Sequence, residues 1–236
     1  MSYVIYQSNL DDEDSLEQLR YLQEQEIPVI QLSKKRMERN NQIIHQYDKP
    51  LCVIGDVQYV QHYMKYVHNK PWSAEHYPDC LKPWLYREIY VCSFKNVRNV
   101  EGVFIKPYNN VKAFTGKVIS RIARVSYGYN KLVYVSQVVK SQSEYRYFIC
   151  NGEIIDYKWY DGDRIEPDIN VVNEMIQKMT ESGKLFYLLD VGVLSDGRPS
   201  LIETDNAYSF GTYGCTPEKS IKIMTMAFDN HINNIQ

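Results

Sequence analysis

The chain has 236 residues, enough to bury a substantial core as one large domain or two compact lobes. Its formal net charge of -2 gives no global reason to expect nucleic acid or an anionic membrane as a partner. Five cysteines (Cys52, Cys80, Cys92, Cys150 and Cys215) lie scattered without CxxC spacing, which argues against a zinc site and for free thiols in a reducing cytosol. No apolar run reaches the length of a membrane span, and MSYVIYQSNLDDEDS lacks the pattern of a signal peptide, so a cytoplasmic location is expected.

Tyr3 to Tyr6 is a short β-prone run. Asp11 to Asp14 then open a helical pattern to about Gln25, with Leu16, Leu19 and Leu22 at three-residue spacing. Acids in a first turn complement the helix dipole, which is a sufficient structural reason for that cluster. Ile27 to Leu32 reads as a second strand, followed by a polar helix holding Lys34, Lys35 and Arg36. Leu51 to Ile54 is a third strand, and Gly55-Asp56 leads into a helix with Val57, Val60, Tyr63, Met64 and Val67 on its apolar side. Strands alternating with helices predict a small α/β unit on a parallel sheet. Lys70 to Pro83 is proline-rich and reads as a connection, Trp84 to about Val97 as a further helix, with a boundary near residue 95.

Beyond Val100 the pattern turns β-rich. VEGVFIKP (Val100 to Pro107) is a strand whose last proline keeps Lys106 extended, on the face of Phe104. A turn-rich loop follows with Lys112, Thr115, Gly116 and Lys117, where backbone N–H groups and lysines could cradle phosphates. Lys131 to Val139 is a strand. Glu144 to Asp156 is a hairpin about Asn151-Gly152, a strong two-residue turn signal that places Ile149 opposite Ile154 and Arg146 opposite Tyr157. Glu144 and Arg146 share one face; an ordinary ion pair between them is the simplest use of both. Asp168 to Ser182 is an amphipathic helix ended by Gly183. Pro217, after Thr216 as N-cap, opens a last helix.

Between those helices lies LDVGVLSDGRPSLIETDNAYSFGTYG (Leu189 to Gly214). If Asp196-Gly197 forms a two-residue turn, Ser195 faces Arg198 and Asp190 faces Glu203 across the ladder. Asp205 points to the same face as Glu203. Like charges so placed are destabilising and call for a counter-cation, for which a hard divalent ion such as Mg²⁺ between carboxylates and phosphate oxygens is suited. A solvated acidic hairpin is the alternative. The five histidines, His45, His62, His68, His76 and His231, all fall outside these stretches and are expected outside any site.

Taken in order (strand lysine, basic glycine loop, strand ending near Gln137, Glu144/Arg146 hairpin, helix, Asp/Glu hairpin), residues 100 to 215 resemble the ATP-grasp superfamily. FIKP, EYR and ETD resemble most the small ATP-grasp ligase-like proteins of viruses and bacteria. The resemblance implies an α+β ATP-grasp fold, two α+β lobes gripping ATP over residues 96–236, preceded by a small α/β pre-ATP-grasp domain over residues 1–95. The lobe of about 100–137 would cover the phosphates and that of about 138–236 would hold the metal. It further implies that Lys106 and Arg146 act on the phosphates, and that Lys112, Thr115, Gly116 and Lys117 form a flap. By the same resemblance Gln137, Val138 and Val139 meet adenine, Glu144 binds the ribose, and Asp190, Glu203 and Asp205 hold Mg²⁺. Asp205 stands where the family usually has Asn, and Asn206 is an alternative ligand. Tyr208, Ser209, Phe210, Tyr213 and Arg124 are candidates for an acceptor pocket, with loop packing or exposure as the alternative.

The chemistry so implied is ADP-forming ligation of a small-molecule or peptide carboxylate to an amine, or to a thiol, through an acyl phosphate. Phosphoryl transfer to another acceptor and nucleotide binding without turnover are the alternatives.

Overall fold

The computed structural model describes residues 2–39, 45–70, 75–108, 113–120 and 126–234. The N-terminal unit is a parallel sheet of β1 (Val4–Gln7), β2 (Val29–Leu32) and β3 (Val53–Ile54) in the order β2-β1-β3. Helix α1 (Glu13–Glu24) starts where Asp12 accepts from the Ser15 N–H at 2.9 Å, so the acidic run does serve a helix start. After α2 (Lys34–Arg39), α3 (Val57–His68) starts in the same way on Asp56, which caps Tyr59 at 2.9 Å. Val4, Ile5, Leu22, Met37, Tyr59 and Tyr63 form the core with Ile221, Met224 and Phe228 of the last helix, Pro217–Asn234. The chain therefore returns to close its own first unit.

The single helix expected from Trp84 to about Val97 is replaced by three elements. These are a 3-10 segment (Asp79–Trp84), β4 (Ile89–Ser93) and the one-turn α4 (Phe94–Val97). The aromatic and β-branched pair Tyr90-Val91 favours a strand, and β4 finds a partner in β7 (Leu132–Gln137). With β5 (Val103–Pro107) and β6 (Lys117–Val118) they make an antiparallel sheet in the order β4-β7-β5-β6. The change of sheet thus falls before residue 89, ahead of the boundary expected near residue 95. Ile105, Val133 and Val135 face Phe94 and Val97 in a small core, which leaves Phe104 and Lys106 on the opposite face.

A second antiparallel sheet, β11-β10-β8-β9, holds β8 (Ser141–Cys150), β9 (Glu153–Gly162), β10 (Phe186–Leu194) and β11 (Pro199–Asn206). Helix α5 (Ile169–Glu181) sets Val172, Met175 and Met179 against Tyr145, Tyr147, Leu189 and Val191 on one face. On the other, Phe148, Cys150 and Leu188 meet Ile223 and Ala227 of the last helix, α6. Mixed α+β architecture with a small parallel sheet in front is as the sequence implies. Among the described residues no helix is long and apolar enough to cross a membrane.

Both hairpins depart from the expected register. Asn151 and Gly152 have positive φ (55° and 74°), as the tight turn needs, and Ile149 pairs with Ile154. Ile155 then bulges, so Arg146 faces Lys158 rather than Tyr157, and Tyr160 bulges further along. In the second hairpin Gly197 has φ 84° but Asp196 is not left-handed, and the Leu194 N–H donates to the Arg198 carbonyl at 2.9 Å. The loop is therefore Ser195-Asp196-Gly197, one residue longer than expected. Val191 pairs with Leu201, but a bulge at Ile202 restores the count and Asp190 does face Glu203. The expected juxtaposition arises from two irregularities that cancel.

At the end of β9, Gly162 has φ 73°, and a Cβ there would lie 2.2 Å from the Gln142 backbone oxygen. Gly162→Ala is expected to destabilise the protein by about 2–4 kcal/mol. Urea unfolding checks this; an unchanged midpoint would contradict the packing described.

Candidate active site

The two antiparallel sheets are joined by three residues, Val138 to Lys140, and a cleft of about 570 Å³ is lined from both. Phe104, Lys106, Thr115 and Gly116 contribute from one sheet, Glu144, Arg146, Asp190 and Glu203 from the other, and Gln137, Val138 and Val139 from the junction. Gly116 is needed for space, because a Cβ would come 2.6 Å from the Phe104 ring. A larger cavity of about 670 Å³, bordered by Leu51, Val67, His68 and Phe228, contains none of these residues. The cleft is taken as the site because it gathers paired carboxylates and cations.

Arg146 and Asp190 stand directly opposite each other on β8 and β10. The guanidinium forks onto the carboxylate, Nε donating to Oδ1 at 2.8 Å and Nη2 to Oδ2 at 2.7 Å. Arg146 is 8% exposed and Asp190 3%. Burial pushes the Asp190 carboxyl up to about 6; Arg146 opposes the push, and Glu203 and Asp205 add to it. Across the other ladder, Glu203 accepts from Lys106, which reaches over from the facing sheet. Burial disfavours the charge on Glu203, yet Lys106 and His76 outweigh it and hold the carboxyl below its usual range. Each carboxylate thus has its own cation, one from the same sheet and one from across the cleft.

Other expected residues are placed differently. Lys117 pairs with Ile105, whose side chain is in the core, so Lys117 lies on the face away from Lys106 and does not line the cleft. Lys112 and Arg124 lie outside the described residues. Glu144 makes no pair with Arg146; its carboxylate accepts from the Tyr160 hydroxyl. Asp205 faces Leu188, and its Oδ1 accepts from the Asn206 N–H at 2.8 Å and Nδ2 at 2.7 Å. Tyr208 and Phe210 pack against the cores of the first unit and α6, and Ser209 donates to the Gly55 carbonyl at 2.7 Å. Of the four candidates after β11, Tyr213 alone lines the cleft; its ring lies 4.8 Å from the Arg146 guanidinium and 4.9 Å from the Tyr160 ring, stacked on it.

Three contributors were not expected. His76, placed outside any site on sequence grounds, is fully buried with Nδ1 3.1 Å from Lys106 Nζ and 3.9 Å from Glu203 Oε2. Burial, then Lys106, lowers its pKa against the pull of Glu203 and Asp205, so the ring is neutral at pH 7. Arg87 donates to the Leu201 and Ile202 carbonyls, both at 2.8 Å, and so clamps the bulge that brings Glu203 opposite Asp190. Tyr160 owes its place in the cleft to the second bulge of β9. A proline-rich connection and two bulges carry no local pattern that would reveal them.

Among the described residues no three His, Cys, Asp or Glu side chains converge as a metal-binding group. Mg²⁺ is commonly held by one or two carboxylates together with substrate phosphates, without an all-protein cage. The hard oxygen donors Asp190 and Glu203, side by side on neighbouring strands, fit that requirement in kind; Asp205, turned to Asn206, is not part of the pair.

Two β-sheets closing on a cleft across a short junction, with carboxylates from one and a lysine from the other, define an ATP-grasp architecture. Residues 84–223 match an ATP-grasp domain, the second family of its clade, and the chain belongs to that family. It is similar in fold to D-alanine–D-alanine ligase from Bacillus anthracis complexed with ATP (TM-score 0.57, 13% identity, covering 98% of this chain and 97% of that chain). It is also similar to the macrocyclase MdnC bound with precursor peptide MdnA from Microcystis aeruginosa MRC (TM-score 0.53, 9% identity, 97% and 100% covered). A third is N5-carboxyaminoimidazole synthetase from Staphylococcus aureus (TM-score 0.55, 8% identity, 96% and 78% covered). At such identities the likeness is one of fold. No curated protein matches the sequence.

Removing one member of a buried pair strands the other's charge. Arg146→Met is therefore expected to cost about 3–5 kcal/mol of stability, and Arg146→Met with Asp190→Leu to recover most of it. Chemical denaturation of the single and double variants checks this; equal losses in both would contradict it.

Proposed function

We propose that the protein is a Mg²⁺- and ATP-dependent ligase that joins a small-molecule or peptide carboxylate to an amine, releasing ADP through an acyl phosphate. The observation that carries this reading is the facing pair Asp190 and Glu203, each held by a cation, at the floor of a cleft between two sheets. Family membership supports nucleotide as the cleft's ligand. The fold-level likeness to ligases supports the reaction class.

In this reading the junction residues Val138 and Val139 present backbone groups to adenine, with Gln137 beside them, and Glu144 meets the ribose. Thr115 and Gly116, under the Phe104 ring, border the phosphates. Lys106 exchanges its bond to Glu203 for phosphate oxygens, a charge-assisted pairing of the same kind. Arg146 keeps Nε and Nη2 on Asp190, while Nη1, whose bond to the Gly211 carbonyl is 3.3 Å, is the edge available to the transferring phosphoryl or the acyl oxygens. Mg²⁺, held by Asp190 and Glu203, would supply neutralisation of the β- and γ-phosphate charge. The chain's own contribution is positioning and preorganised positive charge, with water excluded as the two sheets close about residues 138–140. An amine then attacks the acyl carbon and phosphate leaves.

Hydroxylamine traps an acyl phosphate as a hydroxamate, which separates ligation from phosphoryl transfer to an alcohol. With a pool of carboxylates, wild-type protein is expected to form ADP and hydroxamate together. Lys106→Ala and Glu203→Ala should each lose at least about 100-fold in ADP formation while remaining folded. ATP consumption like wild type in either variant would sink the assignment.

A further inference from the structure

His76 lies in the connection before β4, ahead of the residues that match the family. The segment is not a passive linker. The Thr204 N–H donates to the His76 carbonyl at 2.9 Å, and the Thr204 hydroxyl donates to the Glu75 carbonyl at 2.5 Å. Since β11 is an edge strand, Glu75 and His76 extend its sheet outward by one short pairing. Lys184 holds the same segment through Glu75 at 3.1 Å.

This docking delivers the imidazole to a point where both sheets meet. Its Nδ1 is 3.1 Å from Lys106 Nζ on one sheet and 3.1 Å from the Thr204 carbonyl on the other. An ammonium group has donors and no acceptor, so a contact at that distance is favourable only if Nδ1 carries the lone pair. The ring proton is then on Nε2, which has no partner and is buried. Tyr77 and Tyr134 flank the ring at 6.2 and 6.0 Å, and Tyr134 is the cross-strand neighbour of Lys106. The imidazole does not line the cleft, so it can influence a bound nucleotide only through what it touches.

We infer that His76 is a positioning residue. Its Nδ1 fixes the Lys106 ammonium beside Glu203, so that the lysine is aimed at the phosphates before nucleotide arrives. This rests on the nucleotide reading of the cleft. A lysine on a flexible four-carbon stem has no preferred aim of its own. Glu203 is the acceptor it would leave on binding phosphate, whereas Nδ1 is the one it can keep.

The test is calorimetric binding of a non-hydrolysable ATP analogue with Mg²⁺ to the full chain, with thermal unfolding as a fold control. His76→Phe keeps the bulk and removes the acceptor, and is expected to weaken binding about tenfold. His76→Asn returns an amide oxygen to the place of Nδ1 and is expected to stay within about threefold of wild type. In a Lys106→Met background His76→Phe should cause no further loss, since its effect runs through the lysine. If His76→Phe does not fold, His76→Gln, whose amide reaches toward the place of Nε2, takes its part. Binding within twofold of wild type for the acceptor-less variant, equal losses for Phe and Asn, or a loss undiminished without Lys106 would each overturn the inference. A folded wild-type chain that binds no analogue overturns the nucleotide reading itself, and this inference with it.

Discussion

Arg146 and Asp190 face each other in the middle of the sheet β11-β10-β8-β9, both nearly excluded from water and joined by a two-bond fork. Taking a carboxylate to that depth is costly unless a cation follows it, and burial alone drives the Asp190 carboxyl upward. Glu203 beside it adds a second negative charge on the next strand. Two carboxylates at neighbouring positions cannot both stay ionised without positive charge between or around them. Arg146 satisfies one; the other must be met from outside the sheet.

That requirement ties the two halves of the cleft together. The strand β5 is extended up to Pro107, with Ile105 in the core beneath it, so Lys106 must point the opposite way, toward Glu203. The Lys106–Glu203 contact is therefore a bond between two sheets whose direct covalent junction is only Val138 to Lys140. A ligand that offers both phosphate oxygens and a divalent cation replaces each partner with one of the same charge sign. The site is thereby kept electrically complete in either state, and the exchange can couple binding to movement about the junction. Arg87 and His76 support this arrangement from behind, one by holding the bulge at Ile202, the other by holding Lys106 itself.

Much of this was written locally in the sequence, and the failures have identifiable physical causes. The strand-Lys-Pro pattern put Lys106 on the face of Phe104, where it lies, because proline restricts its neighbour and strand side chains alternate. Asp190 was found opposite Glu203, but the turn was one residue longer than expected and the bulge at Ile202 compensated. No local rule supplies such a bulge; it depends on Arg87 binding two carbonyls more than a hundred positions away. The same kind of irregularity at Ile155 moved Arg146 from Tyr157 to Lys158. Lys117 was grouped with the loop by proximity, whereas pairing with Ile105 turns it to the other face. His76 was missed because its role comes entirely from docking on β11, a tertiary event with no signature in a proline-rich stretch. Tyr208 and Phe210 followed the acidic motif but were drawn into the cores.

A crystal structure with Mg²⁺ and a non-hydrolysable ATP analogue tests the central claim most directly. The exchange described requires the triphosphate in the cleft, Lys106 Nζ moved from Glu203 to a phosphate oxygen, and Asp190 and Glu203 oxygens on the metal while Arg146 remains on Asp190. Nucleotide bound elsewhere, or Lys106 still paired with Glu203 beneath a bound triphosphate, would contradict it.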